Sequence, residues 1–262
     1  MAKITPLKQD YLKFLGTAGA RFVMIKQLRS SGGLWISCSG TNLLVDPGPG
    51  SIVRCASSRP KLDPLGLDAI ILTHCHLDHS GDVNVMIEAM TEGGFKKKGI
   101  VFAPPEALGR GSVIFSYLRD FPEKIEVLSP RKKYKVGKFV FETSMPHIHP
   151  ITTFGLKFRI KNTSVSLLTD TRYFPGLTDF YNTDILIISV VFAEPRPDID
   201  HLSLADAQIL IKKIRPKKAI LTHFGMTMLK AGPRNLALEL TRKTGIEVLA
   251  AYDGMTLDFP ES

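Results

Sequence analysis

Residues 70–82 read I-I-L-T-H-C-H-L-D-H-S-G-D. An apolar run ends in Thr73, and three of the chain's seven histidines, His74, His76 and His79, follow within six residues, with Asp78 among them. In extended backbone alternate side chains share a face, so His74 and His76 point the same way and Cys75 and Leu77 point elsewhere. Val83, Met86, Ile87 and Met90 then fall at helical spacing, which requires a turn that carries Asp78 and His79 to a neighbouring position. Imidazole nitrogen and carboxylate oxygen are the donors of Zn²⁺ and of its borderline relatives Fe²⁺ and Mn²⁺. The stretch reads as a strand ending in two candidate chelates, one for each of two ions.

Matching strand ends lie elsewhere. The I-L-T-H of 71–74 is echoed by L-L-T-D at 167–170 and I-L-T-H at 220–223. In each, a short buried strand ends in Thr followed by a metal-ligand residue type. If these strands lie side by side, His74, Asp170 and His223 gather on one rim, and active sites of α/β proteins favour the carboxyl ends of strands. The remaining histidines, His147, His149 and His201, also lie in or beside candidate segments. Strands are predicted at 11–15, 34–38, 42–46, 69–73, 135–141, 153–160, 165–169, 184–190, 219–222 and 246–252. Helices are predicted from Val83 and Leu204, the latter with Ser203 as N-cap and Asp206 at its third position, and over 235–243 with a stop at Gly245. Strands that both precede and alternate with helices indicate an α/β layered domain.

Composition sets the outer bounds. With 262 residues and 44% apolar content the chain can fill its own core, and with no linker or low-complexity tract it reads as a single domain, 1–262. Its longest apolar stretch, 185–193, is interrupted by Ser189 and is far shorter than the ~20 residues of a membrane helix. The N-terminal M-A-K-I-T-P-L-K-Q-D has charge and proline where a signal peptide needs an apolar core, so a cytoplasmic protein without membrane contact is expected. Cys38, Cys55 and Cys75 are scattered and make no disulfide framework or C-x-x-C site. The net charge of +9, with clusters at 96–98, 131–133 and 212–218, would attract phosphates or nucleic acid without identifying either.

T-H-C-H-L-D-H, with His149 downstream and then Thr169-Asp170-Thr171 and Leu221-Thr222-His223, resembles the metallo-β-lactamase-fold superfamily of metal-dependent hydrolases. The N-terminal L-G-T-A-G (15–19) and L-V-D-P-G (44–48) extend the match. The resemblance implies a four-layer αββα sandwich, two central mixed sheets flanked by helices. It implies two divalent metal ions, zinc first, with iron or manganese as alternatives. One ion would take His74, His76 and His149, the other Asp78, His79 and His223, and Asp170 would bridge them. His149 is preferred to His147 because it stands six residues before Gly155 in an H-x5-G-L-K-F stretch similar to the family's third motif. His147 is then a neighbour or substrate contact. Asp46 enters P-G-P-G, which suits a tight turn by itself, and the resemblance adds a role in orienting a metal ligand.

The fold hosts many reactions and does not choose among them. The discriminating residue is His201 in D-I-D-H-L-S-L-A-D-A, outside all seven ligand positions and just before a capped helix. This resembles the phosphodiesterase and tRNase Z-like branch, where an additional histidine serves the phosphoryl group. The expectation is a phosphodiesterase in which hydroxide generated at the metals attacks phosphorus, with Asp78 and His201 as catalytic residues and His201 assisting the leaving group. Arg54, Arg172 and Arg196 are candidates to hold phosphate. Only 20 residues separate His149 from Asp170, too few for the extended arm of transfer-RNA maturation endonucleases, so a small phosphodiester or other ester is favoured over nucleic acid. The alternatives are a lactone or thioester hydrolase of the same fold and an iron-dependent oxygenase. A homodimer is compatible with the sequence.

Overall fold

Successive side chains of the central strands point into alternate slabs and sort the core into three. In the computed structural model, which describes residues 9–19, 21–109 and 112–260, the described residues form two seven-stranded sheets. The first runs, in spatial order, β14 (Thr256–Phe259), β1 (Asp10–Phe14), β2 (Leu34–Cys38), β3 (Thr41–Val45), β4 (Ala69–Ile71), β5 (Ile100–Ala103) and β6 (Lys124–Val127). The second runs β13 (Glu247–Ala250), β12 (Lys218–Thr222), β11 (Ile185–Ser189), β10 (Thr163–Leu168), β9 (Leu156–Ile160), β8 (Phe139–Thr143) and β7 (Lys133–Val136). Pairing from β3 to β6 and from β10 to β13 is parallel, and the remaining pairs are antiparallel. Both sheets are thus mixed.

The central parallel strands are buried on both faces, which is why they read as apolar runs. In β11, Ile185 and Ile187 face the slab between the sheets, while Leu186 and Ile188 face the helices outside. In β4, Ala69 and Ile71 point inward and Ile70 outward. Each such fully buried aliphatic side chain contributes about 1.5–3 kcal/mol relative to exposure. Outside the first sheet, α2 (Ser51–Ser57) and α4 (Val83–Met90) cover Trp35, Leu44, Ile70 and Val101, with Val83, Met86, Ile87 and Met90 buried as their spacing predicts. Outside the second sheet lie α5 (Leu204–Ile214), α6 (Met226–Ala231) and α7 (Pro233–Thr244). Together these are the four layers of an αββα sandwich.

Local signals fix the helix ends. Ser203 and Asp206 form a reciprocal capping box on α5, and Gly245 ends α7 as a left-handed cap. Two short helices, α1 (Phe22–Ile25) and α3 (Leu77–Ser80), gave no clear periodicity. The expected strand over 135–141 is instead the hairpin β7–β8, reversing at Gly137 with φ +55°, a conformation open to glycine. The sequence reading also missed β5, β6 and β14. β6 and β14 are the edges of their sheet, with charged residues such as Lys124, Glu126 and Asp258 interrupting the apolar pattern. No helix among the described residues is long and apolar enough to cross a membrane. The carboxyl ends of β3, β4, β10, β11 and β12 meet along one edge of the sandwich, and the chain's histidines collect there.

Candidate metal centre

After β4, Leu72 pairs with Phe102 and the chain reaches Thr73, whose amide and hydroxyl both donate to the Asp46 carboxylate, at 2.7 and 2.6 Å. His74 follows, fully buried, and His76 holds extended backbone as the residue before α3. α3 itself carries Asp78 and His79. Asp170 leaves the end of β10, His223 the end of β12, His147 and His149 the connection between β8 and β9, and His201 the connection between β11 and α5. Asp46 and His223 each stand directly after a strand with φ of +52° and +60°. Non-glycine residues rarely adopt this region, and such strain concentrates where side chains must be aimed.

The side chains gather in overlapping groups. The ligand atoms of His74, His76 and His149 lie within 4.8 Å of one another, as do those of Asp78, His79 and His223. We call these the first and second pockets. Asp170 stands between them, with Oδ2 3.7 Å from His74 Nε2 and 3.5 Å from His79 Nε2, and Oδ1 3.4 Å from His223 Nδ1. All seven side chains expected as ligands therefore converge on one volume. His201 joins them, its Nδ1 3.6 Å from Asp170 Oδ2.

Hydrogen bonds behind the rings fix which nitrogen faces inward. His149 Nδ1 donates to the Asp200 carbonyl at 3.0 Å, leaving the Nε2 lone pair 3.0 Å from His76 Nδ1. His79 Nδ1 donates to Asp46 Oδ2 at 3.0 Å, leaving Nε2 2.9 Å from His223 Nε2 and 3.7 Å from Asp78 Oδ2. Thr73 Oγ1 donates to Asp46 and so accepts from His74 Nδ1 at 3.1 Å, turning His74 Nε2 inward. Among the described residues, four buried atoms aimed at this volume have no hydrogen-bond partner: His74 Nε2, Asp170 Oδ1, His201 Nδ1 and His223 Nδ1. Orphaned buried polar atoms are rare, and here imidazole nitrogens and carboxylate oxygens crowd one volume at close range. A cation satisfies that arrangement, and nitrogen–oxygen donor sets of this kind suit zinc, iron or manganese.

The two pockets differ electrostatically. Burial, reinforced by neighbouring rings, lowers His74 well below the ordinary imidazole value, and His76 and His149 are also lowered, so the first pocket is a set of neutral imidazoles. In the second, burial would lower His79, but Asp78, Asp170 and Asp46 outweigh it and hold the ring well above its ordinary value. Burial likewise opposes ionisation of Asp78 and Asp170, yet the surrounding histidines hold both below the usual carboxylate range. A cation entering the second pocket exchanges for the proton on His79.

The other candidate residues have defined places. His147 is buried and turned away from both pockets, its Nδ1 donating to the Asp170 carbonyl at 3.0 Å and its Nε2 bonded to the Tyr181 hydroxyl at 2.5 Å. A Cβ at position 155 would collide with that hydroxyl, which accounts for Gly155. Cys75 packs into the slab outside the first sheet. Arg54 Nε donates to the Leu15 carbonyl at 3.1 Å, Arg196 is exposed, and Arg172 Nε lies 3.2 Å from Asp200 Oδ1. The basic clusters are largely solvated and partly neutralised, as in Lys96–Glu92, Lys132–Glu126 and Lys217–Asp184. Sequence reading passed over Thr73, Tyr181 and Asp200. The repeated Thr of the strand-end echo was a signal for the first, whereas Tyr181 reaches His147 only through tertiary packing.

A family model described as "Beta-lactamase superfamily domain" matches residues 41–224. Uncharacterized protein MJ1374 of Methanocaldococcus jannaschii is 31% identical over 94% of this chain and 93% of its own length. A protein named Ribonuclease Z from Thermoplasma acidophilum is 28% identical over 53% of this chain and 44% of its own length. Among solved structures, the metallo-beta-lactamase fold protein YhfI from Bacillus subtilis superposes with a TM-score of 0.79 at 20% identity, covering 96% of this chain and all of that one.

Proposed function

Because this chain belongs to the beta-lactamase superfamily domain family, we propose that it is a metal-dependent hydrolase acting on a phosphodiester, with His201 assisting departure of the leaving group. The observation that carries this reading is the place of His201. It stands outside the seven converging ligands, yet its ring faces the same volume, 3.6 Å from Asp170 and with ring centroids 5.1 Å from His149. A departing alkoxide needs a proton, and a histidine outside the ligand set but facing the same volume can supply it. The relative named Ribonuclease Z, a nuclease by that name, leans the same way.

In this reading His74, His76 and His149 hold one ion, Asp78, His79 and His223 hold another, and Asp170 serves both. Two bound divalent ions would supply Lewis-acid stabilisation of phosphoryl oxygens and lower the pKa of water to near neutrality. Asp78 orients the attacking water and accepts its proton. Asp46 and Thr73 hold His79 and His74 in the ligating tautomers. His201 donates to the leaving oxygen. Burial lowers its imidazole below the ordinary value, and the approach of an anionic phosphodiester counters that effect. A small phosphodiester is favoured over nucleic acid, since only 20 residues join His149 to Asp170 and leave no room for a binding arm.

The test combines metal analysis with a substrate panel of bis-p-nitrophenyl phosphate, a dinucleotide, a lactone and nitrocefin. His201→Ala should slow dinucleotide hydrolysis by ~100-fold or more and leave metal content intact. Turnover of the lactone alone, or of the dinucleotide at an unchanged rate in the variant, would overturn the proposal.

A further inference from the structure

The peptide joining Asp200 to His201 serves two rings at once. The carbonyl of Asp200 fixes His149 Nδ1 at 3.0 Å, and the next residue is His201. Any rotation at residue 200 therefore moves a first-pocket side chain and the leaving-group histidine together. Residues 194–199, just before it, are exposed, and the excursion closes only at its neck, where the Val191 and Phe192 amides donate to the Leu202 carbonyl. A local backbone bond from the His201 amide to the Ile199 carbonyl, 2.8 Å, turns the chain at residue 200, but among the described residues Asp200's own amide and carbonyl make no backbone–backbone bond.

Its carboxylate is held instead. Arg172 Nε lies 3.2 Å from Asp200 Oδ1, and among the described residues this is the one arginine or lysine ion pair that reaches residues 192–202. Arg172 starts from a rigid base two residues beyond Asp170. Its amide donates to the Ile148 carbonyl at 3.2 Å, and the buried Thr171 hydroxyl donates to its carbonyl at 2.8 Å. The Arg172 guanidinium thereby adds a side-chain tie from the Asp170 segment to the Asp200–His201 segment, beside the bonds that each makes to the His149 segment.

We propose that Arg172 and Asp200 form a positioning pair that sets the Asp200–His201 peptide, and through it the angle of His149 and the reach of His201. The part concerning His201 rests on the proposed function above. Arg172 is then occupied by Asp200 and does not bind substrate phosphate.

The test uses Arg172→Ala, Asp200→Ala, the double variant and Asp200→Asn, with His201→Ala alongside. The first readout is zinc titration against a competing chelator. Each single variant should weaken the first-pocket ion by ~10-fold and leave the second unchanged, as expected when a partner behind a metal ligand is lost. The second readout is steady-state kinetics on the dinucleotide, which leaves as an alkoxide, and on bis-p-nitrophenyl phosphate, whose leaving group needs no proton. Each single variant should lower kcat on the dinucleotide by ~10-fold, with KM moving less than ~2-fold and a smaller loss on the activated ester. The double variant should be no worse than either single one, because residues acting as a unit are not additive. Asp200→Asn, which keeps an oxygen for Arg172 Nε, should recover part of both losses.

Unchanged zinc affinities in both single variants would overturn the pair. So would a KM rise confined to Arg172→Ala, which would mark a phosphate contact, or losses that multiply in the double variant. If His201→Ala fails to slow the dinucleotide, the reading of His201 falls and this link to it falls too. If His201→Ala is slow while the pair variants match the unaltered protein, the pair alone is wrong.

Discussion

The two pockets use the same kinds of side chain but are backed by different groups. Behind the first stand neutral acceptors: the Asp200 carbonyl on His149 and the Thr73 hydroxyl on His74. Behind the second stands a carboxylate, Asp46, on His79, and Asp78 lies within the pocket. Three carboxylates therefore surround His79, while the first pocket shares only Asp170. The second pocket should hold its cation more tightly and hold a proton in its place when metal is withdrawn. The first, with His76 and His149 only partly buried, should exchange more readily and face incoming substrate.

The strongest way to break this distinction is at the residue both pockets share. Asp170→Ala should reduce hydrolysis by more than ~100-fold, beyond the usual cost of a group behind a ligand, and elemental analysis should find less than one ion per chain. Retention of a full ion would show that one pocket works without Asp170. A smaller effect separates the pockets. Asp46→Asn keeps the shape and removes the charge behind His79, so the tighter zinc affinity should fall by about 10–100-fold while the weaker stays the same. A shift in the weaker affinity instead would reverse the assignment.

The smallest effect concerns stability. His147 is carried on the same connection as His149, and burial pushes its imidazole down to about 4. The unfolded chain takes up that proton near pH 6.5 and the native chain near pH 4, so between these values the unfolded state binds more protons and acidification destabilises the native state. Above pH ~6.5 the contribution is constant. In metal-free protein, His147→Gln should lose about 2 kcal/mol less than the unaltered chain between pH 7 and pH 5, measured by urea denaturation. Equal losses would mean that His147 takes up its proton as readily in the native chain as in the unfolded one.

Much of this was legible before any coordinates. The strand-end echo put His74, Asp170 and His223 at comparable positions, and the structure brings them to one edge because β10, β11 and β12 are parallel neighbours in register. The Val83 and Leu204 helices follow their spacing and caps because each packs one apolar face against a sheet. What stayed hidden depends on neighbours distant in sequence. β6 and β14 are edges with mixed residues, the 135–141 segment folds back on itself, and Asp200 gains its role only once Arg172 and His149 come to meet it. The choice of His149 over His147 came from a motif. Its physical counterpart is that His147 is turned toward Tyr181.

Each pocket draws side chains from both sheets: His74 and His76 face His149, and Asp78 and His79 face His223. Mechanically, an ion bound at this edge would be a clasp across the two halves of the sandwich. The same atoms that select a cation also give it leverage over how firmly the two leaves stay shut.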